Sequence, residues 1–257
     1  AAMEWECGSG VETACNTGLD CGSCGANMVC GAGNDRVCYG PYVDQGTCTP
    51  GQERGSVSHP YCTLQAAVEN APAHGFADLF VVKGVYEQGR AASRAVFLTP
   101  DRFDFRGLDI RLHGGYTDLS SLDPITGEPG RREAAGSCDA ARATVLITTT
   151  ALGVLWGDNL VTAMMDRFCV KTTEGIAAGA HTLVSITDSQ VTLRDAQIRG
   201  DLATGSGNGT AVTIRQVSGV SAPVLSGTAS GTCRVRGGGG MVSRGIALSG
   251  DNAALID

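Results

Sequence analysis

Apolar residues between positions 60 and 90 change their period once. Leu64, Ala67, Val68 and Ala71 share one face at helical spacing, which predicts a short helix over 64–71 with Pro72 as its stop. The next run, Leu79-Phe-Val-Val-Lys-Gly-Val-Tyr86, is rich in β-branched and aromatic residues and predicts a strand. Further on, the apolar-x-apolar triplets Val154-Leu-Trp156, Val184-Ser-Ile186, Val212-Thr-Ile214 and Ile246-Ala-Leu248 recur at intervals of 30, 28 and 34 residues. Each is followed by a turn and a second short triplet: Phe168-Cys-Val170, Val191-Thr-Leu193, Pro223-Val-Leu225 and Ala254-Leu-Ile256. Phe103-Asp-Phe105 and Ile110-Arg-Leu112 share the style upstream.

A repeat of about 30 residues built from short strands and turns predicts an all-β solenoid with parallel, laterally paired strands. A β-sandwich, the alternative, would place strands every ~8–12 residues with hairpin turns. Alternation sends aliphatic residues inward and Thr, Ser, Arg and Asp outward. With Phe168 and Val170 inward, Cys169 faces out, within reach of a loop bearing Cys138, so a Cys138–Cys169 disulfide is expected. Val235 inward puts Cys233 inward as a free buried thiol. Trp156 falls in an inward triplet and reads as core, not as a platform for sugars.

Composition narrows the class. Glycine is 37 of 257 residues without a Gly-X-Y period, which excludes collagen, and 42% hydrophobic residues are enough for a core. No apolar run is long enough for a transmembrane helix. The net charge is −7 and no basic run stands out, so nucleic acid is not an expected partner. Eight of the 11 cysteines lie in the first 62 residues: Cys7, Cys15, Cys21, Cys24, Cys30, Cys38, Cys48 and Cys62. Such density in a weakly apolar stretch predicts a disulfide-stapled small module over 1–47, followed by the solenoid over 48–257. Cys21-Gly-Ser-Cys24 lacks the second close pair that zinc would want, and reads as part of that framework. The expected location is secreted, extracellular or cell-surface, and Ala1-Ala2 fits a mature chain after signal cleavage.

The run Tyr42-Val-Asp44, Cys48, Gly55 and Pro60-Tyr-Cys-Thr-Leu-Gln-Ala-Ala-Val68, then Ala77-Asp-Leu-Phe-Val-Val-Lys-Gly-Val-Tyr86, resembles the opening segment of bacterial secreted right-handed parallel β-helix proteins, the pectate-lyase-like superfamily. His113-Gly-Gly-Tyr116 and the stretch from Arg244 to Ile256 look like further coils of that group. The resemblance implies a right-handed parallel β-helix whose end is capped by the Leu64-Gln-Ala-Ala67 helix, and a Cys48–Cys62 bridge pinning the cap loop. It would leave Cys7, Cys15, Cys21, Cys24, Cys30 and Cys38 to form three pairs of open connectivity. It says little about activity, because the group mixes enzymes, adhesins and structural proteins.

Hydrolases of that fold usually present an Asn-x-Asp, an Asp-Asp pair and a Gly-His-Gly, and none occurs here. Lyases of that fold use acidic residues on Ca2+ with an Arg or Lys base. Asp166-Arg167 and Arg194-Asp195 occupy comparable places in consecutive repeats, with Asp188, Arg199 and Asp201 nearby. These residues read as a ladder of outward charges, with a glycan-facing surface as the functional alternative. Asn208-Gly-Thr210 is a glycosylation triplet and Gly237–Gly240 a flexible loop. The expectation is therefore a structural or adhesive protein needing no cofactor, metal or catalytic residue, with polysaccharide as a candidate ligand. A polysaccharide lyase, with Ca2+, or a glycoside hydrolase acting on an extracellular acidic polysaccharide is the alternative. The sequence stops within the apolar strand Ala254-Leu-Ile256, so either further chain beyond residue 257 or end-to-end stacking with another copy into filaments is expected to cover it.

Overall fold

The computed structural model describes residues 24, 27–30, 37–87, 103–133, 138, 143–148, 152–157, 160–172, 181–199, 209–215, 224–226, 234–236 and 243–249. The elements run β1 (Val29–Cys30), β2 (Cys38–Tyr39), β3 (Tyr42–Val43), α1 (Leu64–Asn70), β4 (Asp78–Val82), β5 (Gly84–Glu87), β6 (Phe103–Asp104), β7 (Arg111–Tyr116), β8 (Thr144–Thr148) and β9 (Leu152–Trp156). They continue with β10 (Ala163–Asp166), β11 (Phe168–Thr172), β12 (His181–Thr187), β13 (Val191–Arg194), β14 (Gln197–Arg199), β15 (Gly209–Arg215), β16 (Val224–Ser226), β17 (Arg234–Arg236) and β18 (Ser243–Ser249).

From β4 onward strands three positions apart pair in parallel, and β3 adds to the edge of β4. This makes three sheets: β3-β4-β7-β10-β13-β16, β5-β8-β11-β14-β17 and β6-β9-β12-β15-β18. Among the described residues the protein is mostly β, with parallel strands, one short α-helix and disulfide cross-links. Val154, Val184, Val212 and Ile246 share one register position of the third sheet, and Trp156, Ile186, Ile214 and Leu248 another. The recurrent triplets are therefore in-register neighbours.

Each repeat has three strands, not the two expected. Phe168-Cys-Val170 belongs to the second sheet, whereas Val191-Thr-Leu193 and Val224-Leu225 lie in the first. The intervening strands β10, β14 and β17 escape the apolar-x-apolar pattern: β14 and β17 have one apolar residue between polar ones, and in β10 the apolar Met164 stands between Ala163 and Met165, so nothing alternates. Likewise, the run 79–86 is two strands in different sheets. The Lys83 N–H donates to Tyr116 O at 2.7 Å and the Gly84 N–H to Ala143 O at 3.1 Å, while Gly84 turns the chain at φ +155°. Helix α1 starts on Thr63, whose hydroxyl accepts from the Ala66 N–H at 3.1 Å. It passes into a 3-10 turn, Ala71–His74, that contains Pro72 and ends at Gly75 with φ +83°.

One apolar core joins Leu79, Leu112, Met165 and Leu193 of the first sheet to Leu146, Phe168, Val170 and Ile198 of the second. Val154, Trp156, Val184 and Ile186 complete it from the third sheet. Leu64, Ala67 and Val68 of α1 and Ala71 of the turn after it enter the same core, and α1 packs on β3, β4 and β6. Trp156 is buried against Phe105, with ring centroids 4.8 Å apart.

Strand β3 begins the parallel first sheet inside the segment 1–47, and Cys24–Cys38 ties down the antiparallel pair β1–β2 beside it. Cys48 bonds Cys62, and Cys138 bonds Cys169. Cys169 faces away from Phe168 and Val170 yet is buried, in a small outer cluster with Ala143, Val145 and the partly buried Cys138 and Ile147. Among the described residues no helix is long and apolar enough to cross a membrane. The expectations for Cys7, Cys15, Cys21, Asp201, Asn208, Cys233, Gly237–Gly240 and Ala254–Asp257 lie outside the described residues, and so does the side chain of Cys30.

Candidate functional site

Alternation along the first sheet produces three rows. Leu79, Leu112, Met165 and Leu193 occupy the row that reaches the core, and Leu225 continues their register on β16. On one side Asp78, Arg111, Met164, Thr192 and Val224 are in register; on the other, Tyr42, Phe80, His113, Asp166, Arg194 and Ser226. The candidate charges thus lie at neighbouring register positions on the sheet's outer face.

Two closed ionic groups form there. Asp78 Oδ1 accepts from Arg111 Nε at 2.6 Å and lies 2.8 Å from His113 Nε2, while its second oxygen takes Arg111 Nη2. Burial alone would raise the pKa of Asp78. The hydrogen bonds and charges of His113 and Arg111 outweigh it and hold the carboxyl far below the usual carboxylate range. One strand further on, Asp166 Oδ2 accepts from Arg132 Nη2 at 2.7 Å and from Arg194 Nη2 at 2.6 Å. Burial opposes ionisation of Asp166, but the two guanidinium groups prevail and lower its pKa. Its side chain is 1% exposed, against 15% for Arg132 and 38% for Arg194.

Arg167 and Asp195 each follow the last residue of a first-sheet strand, and both have positive φ, +60° and +49°. These left-handed residues turn the chain from the first sheet into the second. The Arg167 N–H donates to Arg194 O at 2.9 Å, stacking the two corners, and Arg167 Nε stands 3.8 Å from Asp195 Oδ2. In β7 the corresponding stretch, His113-Gly-Gly-Tyr116, stays in the first sheet, its register against β4 shifting between Phe80 and Val82. A Cβ on Gly114 would meet Arg167 O at 2.9 Å, and Gly115 has φ +82°.

Sequence patterning singled out Asp166, Arg167, Arg194 and Asp195, which the structure brings together. It also named Asp188 and Arg199, which stand elsewhere. Asp188 lies in the turn between β12 and β13, its N–H donating to Arg215 O at 2.8 Å, and Arg199 ends β14 in the second sheet. Asp78, Arg111, His113 and Arg132 were missed. The alternation Asp109-Ile-Arg-Leu-His113 marks Arg111 and His113 as outward, but Arg132 belongs to a loop with no period to read.

That loop, 117–133, crosses the outer face. The Tyr42 hydroxyl donates to Gly127 O at 2.7 Å and the Tyr116 hydroxyl to Glu128 Oε1 at 2.5 Å. Beneath it Tyr42, Phe80, Val82, Tyr116 and Leu119 form a second apolar cluster. Comparison with protein-family models, curated proteins and solved structures finds no match to this chain. The site is therefore read from its own chemistry. Among the described residues no group of three or more His, Cys, Asp or Glu is placed to hold a metal. Asp166, bound by two guanidinium groups, does not fit the Ca2+ of a lyase-like site.

Proposed function

We propose that the chain winds as a right-handed parallel β-helix, of the pectate-lyase-like kind, and serves outside the cell as a structural or adhesive scaffold with a glycan-facing surface. The three-strand period of parallel pairing and the helix entering the core at one end support the architecture. Disulfides at both Cys48–Cys62 and Cys138–Cys169 favour an oxidising compartment. The observation that carries the non-catalytic reading is the state of Asp166. General acid–base work needs a carboxylate with access to substrate and a pKa near the working pH. Asp166 is buried, held ionised and engaged by Arg132 and Arg194. It acts as a strut joining the 117–133 loop to β10 and β13.

The test is turnover. Polygalacturonate, alginate and neutral glycans are incubated with the protein and Ca2+, following absorbance from unsaturated products and release of reducing ends. The scaffold reading expects no turnover and retention of protein on at least one immobilised glycan. Turnover abolished by Arg194→Ala would replace it with the lyase reading.

A further inference from the structure

The loop between Cys48 and Cys62 carries two serines and a histidine that play no part in the ionic groups of the first sheet. The loop is fixed on several sides. The Cys48–Cys62 bond closes it, the Arg54 N–H donates to His59 O at 2.9 Å, and Val57 packs against the outer apolar cluster of Tyr42 and Phe80. Pro60 follows His59 and steers the histidine backbone away from helical conformations. Within this frame Ser56 is buried and Ser58 is exposed.

Three hydrogen bonds close a ring through these residues. The His59 N–H donates to Ser56 Oγ at 3.1 Å, Ser56 Oγ lies 3.3 Å from Ser58 Oγ, and Ser58 Oγ lies 3.1 Å from His59 Nδ1. A serine hydroxyl gives one hydrogen and accepts two. Ser56 Oγ accepts from the backbone and gives its hydrogen to Ser58, and Ser58 gives its own to Nδ1 of the neutral imidazole. In that order each bond polarises the next. Ser58 Oγ then stands between a donor that stabilises negative charge on it and a base that takes its proton, which is what activates a serine. The separation from Nδ1 is short enough for proton transfer.

We propose that Ser58 is a nucleophile that accepts acyl groups from activated esters, with His59 as its general base and Ser56 as a positioning residue. Ser58 Oγ attacks the acyl carbon as its proton passes to His59 Nδ1. The bond from that carbon to the leaving oxygen breaks, and the leaving group departs with the electron pair and takes the proton from Nδ1. The products are acyl-Ser58 and a free alcohol or phenol. Because Ser58 is exposed, the ester reaches it without entering a cleft. The proposal goes beyond the scaffold reading and uses none of the Asp166 network, so glycan binding and acylation of Ser58 succeed or fail independently.

The experiment incubates the full chain with p-nitrophenyl acetate, follows p-nitrophenolate by absorbance and locates acetyl groups by mass spectrometry of peptides. Acetylation of Ser58 is expected, as an ester that hydroxylamine removes, whereas amides on lysine or the N-terminus resist it. Ser120, exposed on the loop 117–133 and bonded to Asp118, is the internal reference and should gain no ester over the same time. His59→Asn, which keeps an acceptor near the Nδ1 position but no base, should slow acetylation of Ser58 by about a hundredfold, the lower range for a general base. Ser56→Ala should slow it by about fivefold, the worth of one neutral hydrogen bond, and Ser56→Thr should restore it. No ester at Ser58, equal esters at Ser58 and Ser120, or an unchanged rate in His59→Asn overturns the proposal. Circular dichroism detects a variant that misfolds. The comparison of Ser58 with Ser120 is made in the native chain, so it decides the matter whatever the substitutions do to folding.

Discussion

Asp166 and Arg194 face each other in register across β10 and β13, and Arg194 Nη2 donates to Asp166 Oδ2 at 2.6 Å. Arg132 donates to the same oxygen from the loop 117–133. One buried carboxylate therefore ties together two neighbouring strands and the segment that covers them. Its second oxygen, Oδ1, is buried without a hydrogen-bond partner, so the stabilisation rests on Oδ2.

This arrangement predicts acid sensitivity with a definite sign. Asp166 has a lowered pKa in the folded protein, and Asp78 shares the direction. The unfolded chain takes up these protons near pH 4. The contribution is therefore fully present above that pH and is lost as pH falls toward the folded-state values. Thermal midpoints should fall below about pH 4. Asp166→Asn should start lower at neutral pH and fall less steeply. Parallel profiles for the two proteins would show that Asp166 does not carry the effect. Asp166→Ala, which leaves two guanidinium groups facing an empty site, should cost about 3 kcal/mol by chemical denaturation, the lower end for a broken buried pair.

Gly55 has φ +66°, and a Cβ there would lie 2.0 Å from Gly40 O and 2.2 Å from the Tyr61 ring. Both neighbours are held in place, so Gly55→Ala combines left-handed strain with overpacking and should cost about 3 kcal/mol. Gly51 supplies the control, with φ +83° and nothing within 4 Å of where its Cβ would stand. Gly51→Ala carries the strain alone and should cost about 1 kcal/mol. Equal losses in urea denaturation would contradict the close-approach argument.

The same contact seals a sheet edge. The N–H groups of Gly40, Tyr42 and Asp44 donate outward from β3 and its flanks to the carbonyls of Arg54, Gly55 and Tyr61, at 3.1, 2.9 and 3.1 Å. An edge strand with its donors occupied offers no template for another chain. Amide exchange at Tyr42 and Asp44 should be slow in the native protein and faster in the Cys48→Ala/Cys62→Ala variant, whose loop 49–61 loses its anchor. Fast exchange in the native protein would show that the loop does not seal the edge, and would reopen that side to strand addition.

How much of this was legible in the sequence follows from which residues reach the core. Val154, Val184 and Val212 are register neighbours in the core, and stacking demands similar aliphatic side chains at each, so their spacing reveals the register, which Ile246 continues along the backbone. β14 and β17 have a single apolar residue between polar ones and β10 has three apolar residues in a row, so none shows an alternating period that would mark a third strand in each repeat. At the site, Asp166 and Arg194 were visible because strand alternation places them. Arg132 was not: it arrives from a loop, and its meeting with Asp166 depends on how that loop folds back over Tyr42 and Tyr116. Asp78 and His113 pair across strands 35 residues apart, a distance no local pattern encodes.

The Cys138–Cys169 bond fastens the segment after that loop to β11, closing a span with a sequence separation of 31. In the chain-entropy account, a closure of this length stabilises by about 3–4 kcal/mol through the unfolded state. Cys169 is itself buried against Ala143 and Val145, so removing the bond also uncovers apolar surface. The double variant Cys138→Ala/Cys169→Ala should thus lose at least the entropic amount. It should also show faster amide exchange at Val145 and Lys171 than at Val184, which lies on the third sheet. A uniform rise in exchange across the three sheets would mean that the bond acts only on the unfolded chain and does not hold the outer layer of the second sheet in place.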